Sequence, residues 1–121
     1  MIDHMGINVS NFSESKKFYI AALAPLGYEL LNEFGPVAGF GIDGEADFWV
    51  GEGEVNTPRI HVAFRASSRE QVNAFYEAAM TAGGRDNGAP GLRTHYHPNY
   101  YGAFVLDFDG HNIEAVCHTP E

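Results

Sequence analysis

The chain has 121 residues, 45% of them apolar, with nine Phe, six Tyr and one Trp, which suits one folded domain with a real core and excludes a disordered polymer. A formal charge of −9 disfavours nucleic acid and anionic membrane as partners, and no apolar run reaches the ~18 residues of a membrane span. The single Cys117 excludes an internal disulfide and reads as a buried, inert thiol, while the start Met-Ile-Asp-His has neither region of a secretion signal, so a cytoplasmic location is expected.

Residues 2–9 alternate, with Met5, Ile7 and Val9 on one face and His4, Gly6 and Asn8 on the other, and so predict a half-buried strand. Asn11-Phe12-Ser13 opens a helix carrying Phe18, Tyr19, Ala22 and Leu23 on one stripe, which Pro25 and Gly27 close. Three short strands follow at 28–34, 36–42 and 46–51, the last two joined by the hairpin signal Asp43-Gly44. After Pro58 the chain predicts a strand at 59–66, a helix at 68–82, a Gly-rich loop from Gly83 to Gly91, and strands at 93–97, 100–107 and 111–118.

The chain nearly repeats itself. Residues 4–27 laid over 61–84 without a gap pair His4 with His61, Ser10 with Ser67, Phe18-Tyr19 with Phe75-Tyr76, and Gly27 with Gly84. A duplicated unit follows: two βαβββ modules, about 1–56 and 57–121, within one α+β domain. Helices cover one face of each mixed sheet, and the other faces curl into a cup.

Strand parity sets His4, His61 and Glu114 each opposite the apolar residues of its own strand. Two imidazoles and a carboxylate can hold one side of a divalent ion and leave positions open for water and a substrate with two oxygen donors. Asp47 is a fallback ligand by the same parity, two residues from Trp49. The stretch HYHPNYYGAF places His95 and His97 on one face of the predicted strand 93–97, then Tyr100 and Tyr101. Its acid/base candidates are His97, Tyr100 and Tyr101; Trp49, Arg93 and His95 are the candidates for substrate contact. Gly39–Gly44 matches G-x-G-x-x-G but runs into a strand, so nucleotide binding is discarded.

The segments HMGINVSNFSESKKFY, IHVAFRASSREQVNAFY and FVLDFDGHNIEAV together resemble the glyoxalase, bleomycin-resistance and extradiol-dioxygenase (vicinal oxygen chelate) superfamily across essentially the whole chain. The resemblance implies the cup-shaped, glyoxalase-like fold, with metal ligands at His4, His61 and Glu114; Asp109 to Glu114 is the most specific match. It implies a homodimer, with the cup completed by the partner, and a divalent Fe, Mn, Ni, Zn or Co ion. The expected function is that of a metal-dependent lyase or dioxygenase acting on a small substrate with vicinal oxygens. The alternatives are a metal-free, drug-binding protein of the bleomycin-resistance type and a purely structural metal. Glyoxalase I enzymes carry a fourth ligand where this chain has Trp49, and fosfomycin-resistance transferases a Thr and a Tyr where it has Gly6 and Phe104.

Overall fold

Both helices start by the same local rule: Asn11 Oδ1 accepts the Glu14 backbone N–H and Ser68 Oγ accepts that of Gln71, each satisfying an otherwise unpaired donor of the first turn. In the computed structural model, which describes residues 1–121, the elements are β1 (Met5–Val9), α1 (Phe12–Leu23), β2 (Glu29–Phe34), β3 (Val37–Ile42), β4 (Glu45–Glu52), β5 (His61–Arg65), α2 (Arg69–Thr81), β6 (Arg85–Asp86), β7 (Gly91–Leu92), β8 (Tyr101–Leu106) and β9 (Asn112–Cys117). A 3-10 turn, Ala24–Leu26, ends α1 at Gly27, whose φ of 86° lies in the left-handed region. The β3–β4 hairpin turns through Asp43 and Gly44, with φ values of 54° and 78°, the pair of positive angles that a type I′ turn requires.

Two sheets result, ordered β1-β4-β3-β2 and β5-β9-β8-β6, with β7 also on β8. In each, the first strand runs parallel to the last, β1 with β4 and β5 with β9. The alternation read from the sequence sets the faces: Ile7, Val9, Val62 and Phe64 are buried, while His4, Gly6, His61 and Ala63 are exposed. The inner faces and both helices share one cluster of 23 buried apolar residues, in which the Phe64 ring meets Phe48 across the two halves, with Tyr28, partly buried, packed on Phe64 from outside the cluster.

A polar seam also joins the halves. His111, fully buried, accepts the Ile60 N–H at Nδ1 (3.0 Å) and donates from Nε2 to the Asn8 carbonyl (2.9 Å), so it is a neutral imidazole of one tautomer. Buried Asp107 accepts the Tyr19 hydroxyl at 2.5 Å and the backbone N–H groups of His111 and Asp109. The Tyr19 hydroxyl is pushed well up, first by burial and then by the Asp107 charge.

The strand expected at 93–97 does not form. Arg93 N–H reaches the Tyr100 carbonyl at 2.7 Å and Tyr96 N–H reaches that of Arg93, so the segment folds back on itself in two turns, and Pro98 has no N–H to offer a ladder. The two-residue β6 lies inside the stretch read as a Gly-rich loop.

Candidate functional site

The outer face of the second sheet carries a cluster of polar side chains. β9 lies between β5 and β8, with Glu114 opposite Ala63 on one side and Phe104 on the other. Glu114 is 1% exposed, yet both carboxylate oxygens are occupied: Oε1 lies 2.8 Å from His61 Nε2, and Oε2 accepts the Tyr100 hydroxyl. Gly102 makes room for this, since a Cβ there would stand 3.2 Å from the Tyr100 ring and 3.4 Å from Glu114 Oε2. Burial raises the Tyr100 hydroxyl above its ordinary range, the bond and charge of Glu114 raise it further, and Arg93 opposes slightly, so Tyr100 is a neutral donor. The His61 side chain is 54% exposed, which leaves one edge of the pair open.

The folded-back segment supports Tyr100. Asn99 N–H donates to His97 Nδ1 (3.1 Å), which places the proton of a neutral His97 on Nε2, aimed at His118 Nδ1 2.8 Å away. Both imidazoles meet the Tyr100 ring edge to face, with centroids 5.5 and 5.4 Å apart. His118 went unassigned in the sequence, although its parity with Glu114 and Val116 was a signal for it. His95 is exposed against the Tyr96 ring (4.1 Å) and stands apart from Glu114's contacts. Tyr101 takes the opposite face: its hydroxyl donates to Asn73 on α2 (2.7 Å) and its ring lies under Arg69, so strand alternation removes it from the acid/base candidates. The Arg93 guanidinium lies over Phe104, 5.4 Å from the ring centroid.

The first sheet presents a different surface. His4 donates from Nδ1 to Asp3 (2.7 Å), an orientation that leaves Nε2 as a free lone pair. His4, Gly6, Ala46 and Trp49 line one shallow groove. Trp49 lies flat on the first sheet because Gly39 has no side chain; a Cβ there would come within 2.7 Å of the indole. Phe34 stacks beside it, centroids 6.3 Å apart and planes within 17°. The parity linking Asp47 to Trp49 fails at a β-bulge: Phe40 opposes Phe48 and Gly41 opposes Ala46, so Asp47 is skipped and instead accepts the Tyr28 hydroxyl at both oxygens. Burial, then Asp47, raises the Tyr28 hydroxyl.

The chain brings His61 and Glu114 together and leaves His4 on the other sheet: no three His, Cys, Asp or Glu side chains gather closely enough to hold an ion. Residues 1–115 match the family model of the Glyoxalase/Bleomycin resistance protein/Dioxygenase superfamily. The chain belongs to this superfamily. A glyoxalase/bleomycin resistance protein from Albidiferax ferrireducens T118 is similar at 27% identity and a TM-score of 0.82, covering 95% of this chain and 97% of that one. A second similar fold is the family enzyme from Burkholderia phytofirmans PsJN (17% identity, TM-score 0.75, 98% of both chains). A third is the fosfomycin resistance protein FosX of Listeria monocytogenes, solved as a mutant with Mn(II) and 1S,2S-dihydroxypropylphosphonic acid (20% identity, TM-score 0.73, 98% of this chain and 90% of that one). No curated protein matches at a significant level. The superfamily contains enzymes, and its fold here is the α+β pair of sheets expected from the repeat. No helix is long and apolar enough to cross a membrane.

Proposed function

We propose that this superfamily member is a cytoplasmic, metal-dependent enzyme, of lyase or dioxygenase type, working as a homodimer in which each centre takes His61 and Glu114 from one copy and His4 from the other. The observation that carries this reading is the 2.8 Å contact of His61 Nε2 with Glu114 Oε1, near the ~3 Å between neighbouring ligands of one ion with bonds of about 2.1 Å at right angles. The donor set fits as well. Asp3 holds His4 in the tautomer that offers Nε2, the arrangement common behind metal-binding histidines, and the buried Glu114 carboxylate is already aimed at His61. The separation of His4 from this pair within the chain supports the second copy as its source.

A divalent ion bound there, Fe, Mn, Ni, Zn or Co, would supply Lewis acidity toward the vicinal oxygens of a small substrate. The chain's own groups do the remaining work. Tyr100 keeps its proton and fixes the second oxygen of Glu114, so the carboxylate offers one oxygen to the open side. His97 and His118, bonded to each other, pack on the Tyr100 ring and hold it in place. The Trp49 indole, flat on Gly39, offers a face to a planar part of the substrate.

The pairing of both Glu114 oxygens within the chain favours one second reading, a metal-free cup that binds a small molecule without chemistry. Elemental analysis separates the two. Wild type purified without chelator or affinity metal is expected to hold or gain about one ion per chain, and His4→Ala or Glu114→Ala to lose it. Exchanged mixtures of the two variants are expected to recover about a quarter of the wild-type content, because half of the dimers then contain one intact centre. A wild type that neither holds nor gains metal overturns the enzyme reading and leaves the binding cup.

A further inference from the structure

Arg93 is one of the seven Lys and Arg residues of this acidic chain and one of the four, with Arg59, Arg65 and Arg85, that have no carboxylate partner. None of the five ion pairs includes it. Its guanidinium is nevertheless held at several points. Nη2 donates to the Ala89 carbonyl at 2.8 Å, and the cation lies on the Phe104 ring. Two glycines leave the space it occupies: a Cβ on Gly88 would stand 3.1 Å from Nη2, and one on Gly91 would stand 3.2 Å from Nη1. Phe104 is the cross-strand partner of Glu114, and its ring lies 6.3 Å from that of His61, so the cradle opens on the same sheet face as the His61–Glu114 pair.

A guanidinium fixed by backbone and ring, with N–H groups left over and no carboxylate beside it, is the form an anion receptor takes. We propose that the substrate is an organic anion and that its carboxylate, phosphate or phosphonate group docks on Arg93 while its vicinal oxygens face His61 and Glu114. The proposal rests on the metal-site reading for the placement of the oxygens but not for the anion itself. The Gly88–Gly91 segment, Gly-Ala-Pro-Gly, then serves as the seat of this arginine, with Pro90 stiffening the loop between the two glycines. The protein's acidity sharpens the selection, because the surrounding field disfavours anions wherever such a fixed cation is missing.

The test compares ligands that differ only in charge. On metal-loaded dimer, titration calorimetry of 3,4-dihydroxybenzoate against 3,4-dihydroxybenzamide keeps the vicinal oxygens constant; on metal-free protein, benzoate against benzamide removes them. Wild type is expected to prefer the acid of each pair by about tenfold, as a charge-assisted contact implies. Arg93→Gln is expected to bring the preference close to one by weakening the acid alone, and Arg93→Lys to retain part of it. Circular dichroism checks that each variant is folded. Equal binding of acid and amide to wild type, a preference that survives Arg93→Gln, or no binding of any probe overturns the proposal. A preference in metal-free protein that takes up no metal supports the anion site while the metal reading falls.

Discussion

Histidine, carboxylate and tyrosine come together twice in this molecule, at His111, Asp107 and Tyr19 between the two halves and at His61, Glu114 and Tyr100 on the outer face of the second sheet. The first set is closed on all sides. Both nitrogens of His111 are used by backbone groups, both oxygens of Asp107 are filled, and the three side chains are at most 1% exposed. The second set is closed at the carboxylate alone; His61 keeps more than half of its side chain in solvent. The same three residue types thus give a structural clamp where every donor and acceptor is paired inside the protein, and a candidate site where one edge is left for a ligand.

On that distinction, stability depends on the seam and ligand binding on the outer set. Asp107→Ala strands the Tyr19 hydroxyl and the His111 N–H in the core and unpairs the half-buried Asp109 N–H, a cost of about 3 kcal/mol, and should lower Tm by roughly 12 °C in a thermal scan. A loss comparable to that of a surface change would break the comparison.

Alkaline pH sharpens it further. Folding holds the Tyr19 proton well above the ordinary 10.0, so this residue's stabilisation is complete below about pH 10 and is lost as pH rises beyond it, by at most about 1.4 kcal/mol per pH unit. Urea titrations at about pH 9 and about pH 11 should show that slope, and Tyr19→Phe should flatten it in part, since Tyr28 and Tyr100 are raised too. An unchanged slope would mean that the seam does not govern the alkaline limit.

The smallest stability effect is expected at the outer set. Tyr100→Phe removes one donor from Glu114 while His61 remains, so it should cost about 1 kcal/mol and roughly 4 °C, with its main consequence in ligand affinity. A drop as large as that of Asp107→Ala would make Tyr100 part of the clamp.

Much of the fold was legible because it rests on local periodicity. The faces of β1 and β5 follow from alternate apolar residues, the start of the first helix from Asn11, the hairpin from Asp43-Gly44, and the duplication from the register of His4 with His61. The site was legible only residue by residue. Parity identified the outward faces of His61 and Glu114, but the Tyr100 contact depends on the segment 93–100 folding back, which backbone bonds between Arg93, Tyr96 and Tyr100 decide. Asp47 was misplaced for a related reason, since one extra residue in β4 inverts every parity beyond it.

The sequence by itself determined the two modules, their inner and outer faces and the residue types available on each, because side-chain alternation and helical spacing are properties of neighbouring residues. Tertiary structure alone decided which His, carboxylate and Tyr became a clamp and which stayed open, that His4 and His61 lie apart in one chain, and that Arg93 sits in a glycine cradle without a counter-ion. Those outcomes depend on contacts between residues far apart in the chain, where packing and the satisfaction of buried polar groups outweigh any local preference.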